Sequence, residues 1–220
     1  MVDRFYGHIW DCCCDHGFLG LHLLRRGTAN TIHFVDIVEH LMSALEAELN
    51  ASNIERLWKV HCLDVNNLPL LSEENISTDF PAATSDVTNK DSHLIIIAGV
   101  GGERLIELMK GIISKHPNKQ LEFLLCPVHH NYKVREFLRS QNMGLLKEVL
   151  LKENRRFYEV LHVSTQGGQK VSLVGDDMWN LHDSDHQQYL QRTIEHYRNK
   201  MNDRTMDANR IVKAYQMVGA

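Results

Sequence analysis

Leu145-Leu146-Lys147-Glu148-Val149-Leu150-Leu151 and Phe157-Tyr158-Glu159-Val160-Leu161-His162-Val163 both read as strands, and only Lys152-Glu153-Asn154-Arg155-Arg156 lies between them. A link of five residues cannot hold a crossover helix, so the two strands must pair antiparallel as a hairpin. Upstream of this hairpin the chain alternates. Gly7–Cys12 reads as a buried strand, Phe18–Arg26 as a helix with Leu19, Leu23 and Leu24 on one face, and Thr31–Asp36 as a second strand. Val38–Asn50 repeats Leu41, Leu45 and Leu49 as a helix, and Leu57–Cys62 is a third strand. The pattern resumes with a strand at His93–Ala98, a helix from Glu103 to about Ser114, a strand at Glu122–Cys126 and a helix at Lys133–Ser140. This order predicts an α/β fold: a mostly parallel, helix-covered sheet finished by an antiparallel hairpin.

The chain of 220 residues is 43% apolar and 24% charged, which allows a real core and excludes wholesale disorder. Its longest apolar run, Leu94 to Val100, is far below the roughly 20 residues that span a bilayer. The amino terminus lacks the basic head and apolar centre of an export signal, so neither membrane nor export is expected. A net charge of −4 excludes a general polycation, and any nucleic-acid contact must come from local patches. Arg25 and Arg26, then Lys133, Arg135 and Arg139, then Lys147, Lys152, Arg155 and Arg156 form such groups, although a charge run is more often a solvated face. Five cysteines, Cys12 to Cys14 being consecutive, form neither a disulfide framework nor a zinc-ligand spacing. A reduced, cytoplasmic protein without a metal is expected. The 14 histidines make the charge sensitive to pH but mark no site.

Asn66–Asp91 is polar and reads as a long loop of the functional or mobile kind. Beyond Gly167-Gly168 the composition turns polar, with Leu190, Ile194, Tyr197 and Met201 at coiled-coil-like spacing and Ile211, Val212 and Tyr215 farther on. The expected division is a sheet domain over 1–165 and a helical subdomain of two helices over 166–220.

Asp11-Cys12-Cys13-Cys14-Asp15-His16-Gly17 occupies the turn after the first strand, where α/β sheets bring backbone close to a nucleotide. Only Gly17 and Gly20 remain there, and a structural turn around buried cysteines is the competing reading. Asp36 ends the second strand, where an acid can accept both ribose hydroxyls of an adenosine, and Asp64 follows the third, where one can accept from an adenine amino group. Singly, each is more often a turn former or a cap. Three acids on one sheet edge weigh more together, because carboxylates near a core edge are costly unless something uses them. Gly99-Val100-Gly101-Gly102 opens a helix and allows close approach of a substrate. Cys126-Pro127-Val128-His129-His130 ends the fifth strand; its paired histidines either line a pocket or are plain surface residues.

At these residues the chain resembles the bacterial tRNA (adenine-22-N1)-methyltransferases, over roughly residues 8 to 165. That family is of the class I S-adenosylmethionine-dependent type, whose Rossmann-like sheet also ends in a reversed hairpin. Its Asp-Ile-Gly-Ser-Asp-His segment looks like Asp11–His16, and its Ile-Ala-Gly-Met-Gly-Gly segment looks like Ile97–Gly102. Its Gln-Pro-Asn is similar to Cys126-Pro127-Val128, weakly, and its tyrosine-glutamate strand to Phe157–Leu161. Here Cys13 stands in place of a glycine, Asp36 in place of a glutamate, and the helical lead-in is almost absent.

The resemblance implies S-adenosylmethionine as cofactor, bound by Asp11, Cys13, Gly17, Asp36, Asp64 and Ala98. It implies that Asp15, His16, Gly99 and Gly101 serve catalysis by placing the adenine, and that Pro127, His129, Lys133, Arg155 and Arg156 contact tRNA. Adenine N1 carries a lone pair and needs no deprotonation, so positioning and electrostatics would supply most of the catalysis. The base must be unpaired or flipped to expose N1. Two rival readings stand beside this one: a methyltransferase of the same fold acting on a protein or small molecule, and a non-catalytic module that keeps the fold. A nicotinamide oxidoreductase is disfavoured by the hairpin and the missing glycines. Monomer and dimer are both open.

Overall fold

A computed structural model describes residues 1–52, 54–70, 91–200 and 207–218. In chain order the elements are β1 (Tyr6–Cys12), α1 (Phe18–Arg26), β2 (Ala29–Asp36), α2 (Glu39–Ala51), β3 (Leu57–Cys62) and a 3-10 turn (Val65–Asn67). Then come β4 (His93–Ala98), α3 (Gly102–Lys115), β5 (Leu121–Cys126), α4 (Asn131–Ser140), β6 (Gly144–Glu153), β7 (Arg156–Ser164), β8 (Gln169–Lys170), α5 (Ser184–Asn199) and α6 (Ala208–Gln216). The strands form one eight-stranded sheet in the order β3-β2-β1-β4-β5-β7-β6-β8. The first five in that order are parallel, and β7, β6 and β8 are antiparallel to their neighbours.

The hairpin is tighter than the sequence implies. Its strands reach Glu153 and Arg156, leaving Asn154 and Arg155 as a two-residue turn with φ of 49° and 65°. Two left-handed residues match the twist of the strands they join, and asparagine tolerates that conformation.

Because helices cover both faces, the central strands are buried along their length; every residue of β1 is buried. Helices α1 and α2 pack on one face over Ile9, Ile32, Phe34 and Ile96, and α3 and α4 on the other over Trp10, Ile95, Ile97 and Phe123. Past residue 165 the chain stays with the sheet: β8 adds an edge strand and Val171 enters the core before α5 begins. Helices α5 and α6 then dock on α4, where Tyr132, Tyr197, Ile211, Val212 and Tyr215 form a third cluster. Met201 and most of the expected Asn66–Asp91 loop lie outside the described residues.

Two buried polar groupings were not foreseen. Arg135, expected in a surface basic patch, is 0% exposed; it donates to Glu159 at 2.8 Å, to Glu148 at 2.6 Å and to the Ser172 carbonyl at 3.1 Å. Burial opposes its charge, but the two carboxylates outweigh that and hold it protonated. Tyr189 of α5 donates to Glu159 at 2.6 Å and accepts from Asn131 at 3.0 Å, so the same network ties α5 to α4 and β7. Across β4, β1, β2 and β3 lie His93, His8, His33 and His61. Nδ1 of His8 is 3.0 Å from Nε2 of His33, whose Nδ1 is 3.0 Å from Nε2 of His61, and the His33 ring stacks on Trp10 at 3.7 Å. Burial pulls His8 down to about 4, His33 to about 2 and His93 to about 3, so these rings stay neutral.

Candidate active site

The turn after β1 is held in an unusual backbone conformation, with φ of 55° at Cys13, 51° at Asp15 and 68° at Gly17. Gly17 also has no room for a side chain, since a Cβ there would lie 2.7 Å from Leu45 Cδ2. Gly17 cannot cap α1 with a side chain, and Asp11 does so instead: its Oδ2 accepts from the Gly20 amide at 2.7 Å. Burial pushes the Asp11 carboxyl up to about 7, against the pull of that hydrogen bond. Asp11 therefore sits beneath the turn and braces it, whereas strand-end reasoning put all three acids on the rim.

Asp36 ties the ends of β1 and β2 together. Its Oδ2 accepts from the Asp15 amide and its Oδ1 from the Val38 amide, each at 3.1 Å. Each oxygen keeps a further lone pair. Beside it the exposed side chains of Asp15 and His16 approach to 3.7 Å. Asp64 caps the turn after β3 by accepting from Asn66 at 2.8 Å, and its other oxygen lies 4.0 Å from Arg104. Burial, then Asp36, raises the Cys13 thiol to about 11, with Arg104 opposing and Asp64 adding. Asp36, Asp64 and Arg104 thus all lie close enough to act on Cys13. Cys14 stands at about 12 through burial, so both thiols stay protonated near neutral pH and offer no thiolate. All five cysteines are free.

The loops after β4 and β5 make the facing wall. Gly99 donates to the Cys126 carbonyl at 3.1 Å, Val128 to Val100 at 3.0 Å and Gly102 to His129 at 3.2 Å. Gly99 has φ of 78° and open space where a Cβ would stand. At Gly101 a Cβ would lie 2.6 Å from the exposed His129 ring, which packs directly over this glycine. Ala98 ends β4, and Pro127 is buried and fixes the loop. Lys133 is paired with Glu103 at 3.0 Å. Exposed Arg155 and Arg156 share this edge, because β7 runs antiparallel to β5 with Leu161 opposite Leu125, so its start lies beyond the strand ends. Other basic groups scatter: Lys147 is paired with Asp3 at 2.7 Å, Lys152 with Asp185, and Arg25 and Arg26 end α1.

Five residues near these loops had escaped the sequence reading. Arg104 lies in the first turn of α3, with its partner Glu107 at 2.8 Å. Ile37, 64% exposed, follows Asp36, and Phe18, 76% exposed, lies with its ring 5.7 Å from His16. His196 of α5 and Lys200, just past its end, sit close enough to act on one another and on His130. A large apolar residue beside a polar strand-end turn was the available signal for Ile37 and Phe18. Among the described residues no helix is long and apolar enough to cross a membrane, and no group of three metal-binding side chains occurs.

The family model described as a methyltransferase domain matches residues 1–161. A search of curated proteins finds no match. Among solved structures, a Streptococcus pneumoniae protein assigned provisionally as a tRNA (m1A22) methyltransferase, in complex with S-adenosyl-L-methionine, superposes with a TM-score of 0.73 at 20% identity, covering 99% of this chain and 94% of that one. TrmK of M. capricolum, in complex with S-adenosyl-homocysteine, gives 0.70 at 12% identity over 98% and 92%. The B. subtilis M1A22 tRNA methyltransferase TrmK gives 0.63 at 20% identity over 96% and 91%. At these identities the likeness is one of fold, and it includes the helical tail.

Proposed function

The chain belongs to the methyltransferase domain family, and from that membership we propose that it is an S-adenosylmethionine-dependent tRNA methyltransferase acting on N1 of adenine 22 in the cytoplasm. The observation that carries this reading is the hydrogen bond from the Asp15 amide to Asp36. It sets the exposed Asp15–His16 pair directly beside the carboxylate best placed for a ribose. The solved structures of similar fold include two described with S-adenosylmethionine or its demethylated product, and two described as m1A22 enzymes.

The residues present fit the cofactor: Asp36 keeps acceptor capacity, and Gly99 leaves open space at the edge of the cleft. When bound, the cofactor supplies an electrophilic methyl group on a cationic sulfur. Asp36 accepts from the ribose hydroxyls and Asp64 from the adenine amino group, while Cys13, Gly17 and Ala98 form the walls and Asp11 braces them from below. Asp15 and His16 orient the target base, and Gly99 and Gly101 let it come close. No side chain has to remove a proton from N1, so orientation and the fixed charge of these acids do the catalytic work. His129, on a loop fixed by Pro127, holds the tRNA together with Lys133 of α4 and Arg155 and Arg156 of the hairpin, with helices α5 and α6 beside them.

The test is incubation of the purified chain with S-adenosylmethionine and an unmodified tRNA transcript, followed by nucleoside mass spectrometry. We expect 1-methyladenine, lost when adenine 22 is replaced by guanine. An Asp36→Ala variant should bind S-adenosyl-homocysteine about tenfold more weakly, the loss of roughly 1.4 kcal/mol of hydrogen bonding. Methylation of protein or small molecules in place of tRNA would overturn the assignment.

A further inference from the structure

The carboxyl-terminal hairpin leaves one long edge of the sheet open. Strand β6 pairs with β7 along its whole length on one side, but on the other side β8 meets only Gly144 and Leu145. The two-residue turn at Asn154 and Arg155 makes Glu153 and Arg156 the closing hydrogen-bonded pair, so Val149, Leu151 and Glu153 turn their main-chain groups toward β7. Glu148, Leu150 and Lys152 turn theirs outward, and among the described residues those N–H and C=O groups meet no other element. The same alternation sorts the side chains. Glu148 reaches Arg135 of α4, and Leu150 is buried on that side. Lys147, Val149, Leu151 and Glu153 therefore stand on the opposite face. There Val149 is half-buried, Leu151 is 51% exposed, and both charged residues are exposed. An unpaired edge of this length with an exposed leucine beside it is a template for another strand.

The sequence of β6 decides which strand fits. Laid antiparallel on a second copy of itself about a two-fold axis through Leu150, it sets Lys147 opposite Glu153 of the copy and Val149 opposite Leu151 of the copy. Each pairing occurs twice, so the open face of the joined edge carries apolar contacts flanked at both ends by an ion pair. Neighbouring registers lose this match. Moving the axis to Val149 sets Lys147 opposite a leucine, and moving it to Leu151 sets Lys147 opposite Arg155. On the α4 side Glu148 is held by Arg135 and Lys152 by Asp185, so the open face carries the recognition. There Lys147 touches Asp3 at 2.7 Å, but both are exposed, and an ammonium has three N–H groups to share. We infer that the chain forms a two-fold homodimer in which β6 pairs antiparallel with β6 of a second copy, joining the two sheets into one. A two-fold contact uses the same edge on both copies and leaves none open there, so assembly stops at the dimer.

Sedimentation velocity on the full chain, from about 1 to about 100 μM, reads the assembly, and hydrogen exchange followed by NMR reads single amides. The expected result is a reversible dimer with nothing larger. The Leu150 amide should gain protection as the dimer forms, whereas the Leu151 amide, bonded to β7, is protected at every concentration. Lys147→Glu or Glu153→Lys alone sets like charges opposite each other at both ends of the contact and should weaken the dimer about tenfold or more. The two substitutions together restore opposite charges and should bring the dimer back to within about threefold of the wild type, a recovery that damaged folding would not give. A chain that stays monomeric at the highest concentration leaves the edge to a different protein and overturns the proposal. So does a dimer indifferent to the charge reversals, or one whose Leu150 amide exchanges as freely as in the monomer, since either places the contact elsewhere. If a variant does not fold, the wild-type amides decide. None of these readings uses cofactor, tRNA or methyl transfer, so their failure leaves the methyltransferase assignment standing.

Discussion

Arg135 and the histidines of β1 to β4 are polar groups buried in the same sheet by opposite means. Arg135 keeps its charge because Glu148 and Glu159 face it at hydrogen-bond distance. His8, His33 and His93 have given up theirs, because burial dominates and Asp91, which acts on His8, does not offset it. A charged cluster of the first kind depends on every member being present. A neutral cluster of the second kind depends on the solvent's proton activity. One is sensitive to deletion, the other to acid.

The largest expected effect tests the charged side. Arg135→Met leaves two carboxylates buried without their counter-charge and should cost about 3–5 kcal/mol in urea unfolding. Adding Glu148→Gln and Glu159→Gln to the same chain should restore most of that loss, since the unpaired charges go with it. The next tests the neutral side. The folded imidazoles titrate below the ordinary value of 6.5, at about 4, 2 and 3, so the unfolded chain takes up protons first as pH falls. Below pH 6.5 each imidazole that only the unfolded chain protonates should cost about 1.4 kcal/mol per pH unit, while Asp11, which takes up its proton first in the folded chain, offsets one of them. His33→Phe, which keeps the stack on Trp10, should remove one such increment from the slope between pH 6 and 4. The smallest effect belongs to Tyr189→Phe, which takes one hydrogen bond from Glu159 and should cost about 1 kcal/mol, read as a shift in denaturation midpoint.

The two clusters also mark where the sequence was and was not readable. The parallel strands announce themselves as apolar runs, because both their faces are covered. The hairpin announces itself by a connection too short for anything else. Arg135 gave no such signal: on an amphipathic helix it reads as a solvated charge, and its carboxylate partners arrive only when β6 and β7 fold beside α4. The histidines are scattered along the chain and meet only through strand register. Asp11 was misjudged for a related reason. Strand-end position gives the edge of the sheet but not the face, and the pleat at Asp11 turns its carboxyl down toward α1. The loop-side places of Asp36, Asp64 and the glycine turn were legible because each ends or follows its strand there.

The strand order has a consequence for biosynthesis. His8 of β1 lies against His93 of β4, whereas β6 and β7 meet across two residues. The edge hairpin can zip within about 1–10 μs once made. The middle of the sheet has no such luxury: a nascent chain emerging from the ribosome carries β1 with one edge open until β4 follows it out. Through that interval its unpaired backbone is a template for pairing with another chain. Slow, crowded translation is thus the condition under which this protein is most exposed to aggregation.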